Sequence, residues 1–158
     1  MSGITYRLCN YLVNLRKEDF GDEVLHQAKR CLIDWTGVVL GGSTHEGVHI
    51  ILKTAADMGS ATNVGIVGLN EKTDLLNAAF AMGFMAHVLD YDDTHLDSFV
   101  HPSSSVWAAI AALSEITEVS GDEALEAFVV GFEAETRIGR SLFPKHDERG
   151  WHMTGMAG

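Results

Sequence analysis

The chain has 158 residues, enough for one domain with a hydrophobic core, and 46% of them are apolar while 21% are charged. Its net charge of −11 argues against non-specific binding to nucleic acids or to anionic membrane surfaces. The longest apolar run, residues 75–89, is shorter than the ~20 residues of a membrane span and is interrupted by Asn77 and His87. No membrane association is therefore expected.

The first part of the chain predicts successive helices, followed by a short extended piece. A short helix is expected over residues 4–14, and residues 45–58 predict another one. Between them, an apolar stripe along one helical face begins after Gly21 and ends at a Gly-Gly pair. The β-branched residues 62–67 predict a strand or an extended link.

The second part of the chain predicts buried helices on both sides of an acidic segment. Residues 73–89 are apolar almost all round, which is typical of a helix inside a protein, and residues 103–117 repeat this pattern. A capping box from Ser120 to Glu123 opens a further helix. The predicted fold class is all-α, with residues 1–158 as a single helical domain.

Cysteine usage and the first residues predict the compartment. Cys9 and Cys31 are the two cysteines, and they form no Cys-x-x-Cys pair. The N-terminal residues contain no apolar core of signal-peptide length. We therefore expect a cytoplasmic, reducing location, with both cysteines serving as small core residues.

The acidic segment, residues 90–102, is the most informative part of the sequence. It contains four aspartates and two histidines, namely Asp90, Asp92, Asp93, Asp97, His95 and His101. Charged groups are costly to bury, so such a cluster between buried helices indicates chemistry or a bound ion. Aspartate and histidine can exchange protons near neutral pH. The structural alternatives are a helix-capping role for Asp92 and Asp93, a loop position for His95 and a core position for His87.

Two metal-binding patterns compete with acid–base chemistry. His45, Glu46 and His49 match the zinc motif H-E-x-x-H, but Gly47 weakens the helix and the pattern lies at a helix start. The aspartates of the acidic segment are similar to magnesium-binding Asp-rich helices, which require a second Asp-rich motif that this chain lacks. We therefore expect no metal ion at either pattern.

Three blocks of the sequence resemble those of the MmgE/PrpD family. Residues 77–95 followed by His101-Pro102 are similar to its N-G-x-x-x-H-x-L-D-[FY]-D-D-T block and the H-P pair that follows it. Residues 149–155 resemble its G-[FW]-H-x-T-G block, and residues 32–41 resemble its L-[LI]-D-x-x-G-x-x-x-x-G helix. The blocks occur in the family's order and cover nearly the whole chain.

The resemblance implies a fold, a substrate class and a set of site residues. Family members combine a large helical domain with a smaller α+β lid domain, are usually homodimers, and act on small di- and tricarboxylates without a cofactor. The site residues implied here are His101, His152 and Asp90 for catalysis, with Thr94 and Asp93 for substrate binding. His101 and His152 are the expected proton-transfer pair.

The resemblance also indicates what this chain does not contain. Family enzymes are roughly three times as long, which exceeds the usual size of one domain. The pocket lysines and the lid are expected downstream of residue 158, so the chain is interpreted as an incomplete N-terminal portion. The predicted activity is dehydration of 2-methylcitrate-like substrates. The alternatives are epimerisation or decarboxylation of related carboxylates, or an inactive helical domain that acts as a scaffold or partner.

Overall fold

The structure, a computed structural model, describes residues 3–157. The α-helices in this range are α1 (Ile4–Leu12), α2 (Asp22–Gly42), α3 (Glu46–Asp57), α4 (Leu75–His87), α5 (Pro102–Ser114), α6 (Gly121–Leu142) and α7 (Thr154–Ala157). A short 3-10 helix, Lys17–Asp19, lies between α1 and α2, and a second, Asp147–Arg149, lies between α6 and α7. The all-α prediction is confirmed. Within the described range, no helix combines the length and the apolar character needed to cross a membrane.

Local signals in the sequence explain most of the helix boundaries. Gly59 has a φ of +81°, a left-handed conformation that glycine adopts without strain, directly after the end of α3. The side chain of Asp74 accepts hydrogen bonds from two backbone N–H groups at the start of α4. The predicted capping box is present at the start of α6, where Ser120 and Glu123 satisfy each other's backbone N–H groups.

Residues 62–67, which were predicted as a strand or an extended link, contain a strand of two residues. β1 (Val64–Gly65) pairs antiparallel with β2 (Lys72–Thr73), and the register joins Val64 to Thr73. The sequence did not predict β2, because two residues are too few to show the alternation that marks a strand. This small sheet lies beside α4 and does not change the fold class.

Helix α4 is the centre of the core and packs most extensively against α5 and α2. Gly42 allows the close approach of α2, since a Cβ atom there would collide with the backbone carbonyl of Met85. The prediction that α4 is buried all round is wrong for one face. Leu76 and Phe80 are 79% and 61% exposed, while Met82 is fully buried. Hydrophobic character on every side therefore did not mean burial on every side.

The two cysteines differ in their surroundings. Cys31 is buried in the core cluster, as predicted. Cys9 is exposed on α1, so the prediction of a core position was wrong there. Helix α1 has an apolar face, but it buries no residue completely.

The acidic segment connects α4 to α5 and is folded back on itself. Asp90 and Phe99 both have positive φ angles, 53° and 52°, which are unusual for residues with a side chain. The backbone N–H of His95 donates to the carbonyl of Val100 across the loop. Gly139 of α6 fits closely against this loop, because a Cβ atom there would lie 2.9 Å from the Cβ of Ser98. The segment is thus held at a fixed position beside α6.

Candidate active site

A cavity of about 490 Å³ opens between α4, α5 and the start of α7. Its apolar wall comes largely from α4, including Phe80 and Phe84. Its polar side chains are His87, Ser104, Ser105, His152 and Thr154. This combination of an apolar wall and a few convergent polar groups is typical of a small-molecule site.

Three histidine rings meet beside this cavity. The ring of His87, at the end of α4, lies 4.7 Å from the ring of His101 and 5.7 Å from that of His152, measured between centroids. His87 and His152 line the cavity, whereas His101 lies next to His87 and its side chain is 15% exposed. The predicted pair His101 and His152 is therefore brought together around a third histidine.

A buried aspartate, Asp92, contacts two of these rings. The side chain of Asp92 is 1% exposed, and its two carboxylate oxygens lie 3.1 and 3.0 Å from Nδ1 of His87. One of them also lies 3.4 Å from Nδ1 of His101. A carboxylate accepts hydrogen bonds, so these contacts are hydrogen bonds when Nδ1 of His87 carries the hydrogen.

The other predicted site residues of the loop lie close to the same histidines. Asp90 is exposed, and one of its carboxylate oxygens lies within 4.8 Å of ligand atoms of His87, Asp92 and His101. Thr94 is also exposed, with its hydroxyl 3.4 Å from Nδ1 of His101. Asp90 and Thr94 thus form an exposed polar surface beside the histidines, which a carboxylate or hydroxyl group of a ligand could contact.

Asp93 faces away from the cavity. Its carboxylate accepts hydrogen bonds from the backbone N–H and the hydroxyl of Ser103, at 3.1 and 2.8 Å, in the first turn of α5. Burial raises the pKa of this carboxyl, although the bonds from Ser103 act in the opposite direction. Asp93 thus makes the helix-capping contacts that were the structural alternative for this residue. It is not among the residues that line the cavity.

The C-terminal segment is joined to the acidic segment by a direct hydrogen bond. The backbone N–H of His101 donates to the hydroxyl of Thr154, at 3.0 Å, across 53 positions of the chain. Two residues before Thr154, Nδ1 of His152 accepts a hydrogen bond from the backbone N–H of Gly155. These contacts hold His152 at the cavity from a part of the chain far from α4.

The residues that could hold a metal ion are those of the histidine cluster. His87, Asp90, Asp92 and His101 each offer a ligand atom, and these atoms lie within 4.8 Å of one another. Cofactor-free chemistry therefore stays a prediction, which elemental analysis of the purified chain can check. In the H-E-x-x-H pattern, Nδ1 of His45 accepts a hydrogen bond from the backbone N–H of Gly47 and so caps the start of α3.

The sequence matches the model of the MmgE/PrpD N-terminal domain over residues 6–158. This match covers nearly the whole chain and includes every residue of the cavity. The chain belongs to the MmgE/PrpD family.

Curated relatives agree with this membership. The cis-aconitate decarboxylase-like protein oryM of Aspergillus oryzae is 29% identical over 157 residues, which cover 94% of this chain and 33% of that protein. The cis-aconitate decarboxylase of Aspergillus terreus is 25% identical over 99% of this chain and 33% of its own length. The enzyme of the same name from Mus musculus is 29% identical over 87% of this chain and 29% of its own length. The chain thus spans about a third of the relatives that it matches.

Two of the three MmgE/PrpD blocks meet at the cavity. The block of residues 77–95 supplies His87, Asp90 and Asp92 at or after the end of α4, and the block of residues 149–155 supplies His152. The sequence alone favoured a core position for His87 and a structural role for Asp92. The five-residue spacing between them was the available signal, but it becomes a contact only because the chain turns back at Asp90.

A further carboxyl group, also missed in the sequence, lies behind the cavity. The side chain of Glu135 on α6 is buried and accepts a hydrogen bond from the hydroxyl of Ser105, at 2.6 Å. Burial raises the pKa of Glu135, the bond from Ser105 opposes this rise, and the charge of Asp93 adds to it. Ser105 itself lines the cavity, so Glu135 contacts the site indirectly.

Proposed function

We propose that this chain forms one wall of a lyase active site that acts on small di- and tricarboxylates. The observation that carries the proposal is the meeting of three imidazole rings beside a cavity of small-molecule size. Imidazole is the side chain best suited to take up and return protons near neutral pH. The proposed reaction begins or ends with proton transfer at a carbon next to a carboxylate.

The positions of the side chains support the proposed residue roles. His101 and His152 form the proposed proton-transfer pair, and Asp90 tunes or orients a histidine from the rim. Thr94 is the proposed substrate-binding residue, which is supported by the 3.4 Å distance between its hydroxyl and Nδ1 of His101. A negative charge that develops on the substrate carboxylate needs hydrogen-bond donors nearby, and Ser104 and Ser105 line the cavity with hydroxyl groups.

Decarboxylation of cis-aconitate is the first reaction to test, because the relatives described above carry that name. In this reaction a carbon–carbon bond breaks, CO₂ leaves, and the electron pair remains on the carbon skeleton. A protonated histidine then gives its proton to carbon. One histidine that has first been protonated by solvent is sufficient for this step.

Dehydration of 2-methylcitrate-like substrates is the second candidate, and it uses the same side chains. A neutral histidine removes a proton from the carbon next to a carboxylate, while a protonated histidine donates to the departing hydroxide so that water is released. The reaction needs two histidines, and the rings of His101 and His152 both lie within 6 Å of the ring of His87. Epimerisation requires only that the proton returns to the other face of the carbon.

The lining of the cavity also indicates a need for further charge partners. Among the described residues, the lining contains no lysine or arginine, although a polycarboxylate carries two or three negative charges. The cationic groups Arg7, Arg137 and Arg140 lie instead along a groove between α1 and α6. We therefore expect the 158-residue chain to bind carboxylates weakly and to need additional chain for full turnover.

The test measures product formation by NMR from cis-aconitate, 2-methylcitrate and citrate. Two proteins are compared: the 158-residue chain, and a longer chain translated from the same reading frame continued past codon 158. In the active form, His101→Ala should lower turnover by ~10²–10⁴-fold. His49→Ala is the matched control, because His49 is exposed on α3 and should leave turnover unchanged.

Each result separates the proposals. Turnover of cis-aconitate would favour decarboxylation, and turnover of 2-methylcitrate would favour dehydration. If no form of the protein converts any of these carboxylates, the lyase proposal is wrong and a scaffold role is favoured. Light scattering of the active form tests the proposed homodimer in the same preparation.

A further inference from the structure

The contacts of His87 are more specific than those of a histidine that only fills a core. Within the described residues, the side-chain hydrogen bonds of His87 go through Nδ1 alone, and both are to Asp92. The ring is nevertheless 34% exposed and lines the cavity. Its second nitrogen, Nε2, is therefore left without a partner among the described residues while the ring faces the cavity.

The geometry of the chain explains how Asp92 reaches this position. His87 is the last residue of α4, and the left-handed backbone at Asp90 turns the following residues back towards the helix end. Such a conformation costs energy for a residue with a side chain, and it persists only where the surrounding contacts hold it. A buried carboxylate is also costly unless it is paired. Within the described residues, the ion-pairing partners of Asp92 inside 4 Å are His87 and His101.

We propose that His87 is a third proton-transfer residue of the cavity and that Asp92 is a positioning residue that directs Nε2 of His87 towards the substrate. Since the Nδ1–H group is committed to Asp92, a neutral His87 must carry its lone pair on Nε2. The substrate class rests on the proposed lyase function, but the orientation of His87 does not.

The proposed step is balanced without any further reactant. Nε2 of His87 takes a proton from the carbon next to a substrate carboxylate, and the electron pair of the broken C–H bond spreads onto that carboxylate. The imidazolium that forms stays hydrogen-bonded to Asp92. The ring of His152 lies 5.7 Å from that of His87 and lines the same cavity, so a substrate bound there could contact both rings.

The titratable groups that face His87 come from three parts of the chain. Asp90 and Asp92 face it from the loop after α4, His101 from the start of α5, and His152 from the residue pair before α7. Any pH profile of the active protein therefore reports on this group of side chains together. A method that reads one ring directly is needed to isolate His87.

Imidazole ¹⁵N NMR of the labelled 158-residue chain reads the tautomer directly. The signals of His87 are identified by their loss in His87→Gln. In the wild type we expect His87 to carry its proton on Nδ1, with Nε2 unprotonated. Asp92→Leu, which replaces the acceptor by a larger apolar side chain, should shift His87 towards the Nε2–H form that predominates for free histidine. Asp97→Asn, an exposed change in the same loop, should leave the tautomer unchanged.

A wild-type His87 that carries its proton on Nε2 would overturn the positioning role of Asp92, and this measurement needs no variant to fold. An unchanged tautomer in Asp92→Leu would also overturn it. Should that variant not fold, Asp92→Asn is measured instead. Its amide can donate to Nδ1, so an appreciable Nε2–H population is again expected if Asp92 determines the tautomer.

Kinetics of the active protein test the proton-transfer role itself. His87→Gln should lower kcat by ~10²–10⁴-fold and change KM by less than about threefold. A normal kcat in a folded His87→Gln variant would overturn that role. If no carboxylate is turned over by any form, the lyase proposal fails, and the NMR result still decides whether Asp92 orients His87.

Discussion

Asp92 and Asp93 are neighbours in the chain, but their carboxylates serve two different regions of the molecule. Asp92 faces the histidines at the end of α4, where His87 and His101 are its partners. Asp93 faces the first turn of α5, where Ser103 donates two hydrogen bonds to it. One short loop therefore supports both the candidate chemistry and the start of a core helix.

The hydrogen-bond partner of each carboxylate, and not the residue type, decides what the carboxylate does in this loop. A carboxylate beside imidazole rings faces groups that change charge near neutral pH, so it can influence proton transfer. A carboxylate at a helix start faces N–H and O–H donors that do not titrate, so it contributes stability. Substitution of each aspartate should therefore change a different property of the protein.

The largest expected effect is on turnover. In the active form of the protein, Asp92→Asn should lower kcat by roughly 10²–10⁴-fold, because it removes the charge that orients and stabilises a protonated histidine. Asp93→Asn should change kcat by less than about threefold, since it lies outside the lining of the cavity. Steady-state kinetics of the two variants side by side is the measurement. Equal losses would show that the two aspartates do not have separate roles.

The second effect is on the free energy of unfolding, and here the order of the two aspartates is reversed. Asp93→Ala leaves the buried N–H and hydroxyl of Ser103 without their acceptor, which should cost about 1–3 kcal/mol. Asp93→Asn keeps an acceptor oxygen in the same place and should lose much less. Urea unfolding monitored by circular dichroism checks both values. A loss of similar size in the two variants would contradict the assignment of Asp93 as a cap.

A smaller effect on the free energy of unfolding is expected at Glu135 of α6. Burial raises the pKa of this carboxyl above the 4.5 expected for an unfolded chain. As the pH rises through 4.5, the unfolded chain loses its proton while the folded protein retains it, so the folded state loses stability until its own pKa is passed.

Glu135→Gln removes this titration and retains an acceptor for Ser105. The variant should match the wild type at low pH and be more stable at neutral pH, by less than the loss expected for Asp93→Ala. Denaturant unfolding from pH 4 to pH 8 measures the difference. Glu118→Gln, at an exposed position, is the control and should run parallel to the wild type.

The sequence predicted the helices where a boundary depends on local chemistry. Gly59 after α3 and the Ser120–Glu123 box at α6 act over one helical turn, so their effect is readable from neighbouring residues. The exposed face of α4 could not be predicted in this way. Leu76 and Phe80 are as apolar as their buried neighbours, and their exposure depends on which helices pack against α4.

The candidate site was predictable in its residue types but not in its contacts. The density of Asp and His marked the loop that lies next to the cavity, and the family resemblance added His152 from a distant block. The sequence could not show that His87 and Asp92 touch, because their contact requires the left-handed turn at Asp90. Nor could it show that Asp93 faces the opposite way, since loop residues lack the regular alternation of a strand.

The smallest expected effect comes from a third capping aspartate, and it tests whether a cap always responds to pH in the same direction. Asp74 caps α4 as Asp93 caps α5, yet the hydrogen bonds from Asn77 lower the pKa of Asp74 from 3.8 to about 2. Its stabilisation should be present above pH 3.8 and be lost as the pH falls towards 2.

Burial dominates at Asp93 instead, so the raised pKa of its carboxyl makes stability fall as the pH rises above 3.8. The difference in unfolding free energy between Asp74→Ala and wild type should therefore shrink on acidification. The difference between Asp93→Asn and wild type should change with the opposite sign, and it should do so above pH 3.8. Unfolding curves at successive pH values measure both, with Asp97→Asn as an exposed control. Parallel pH dependences for the two caps would mean that burial does not determine how a helix-capping carboxylate titrates in this protein.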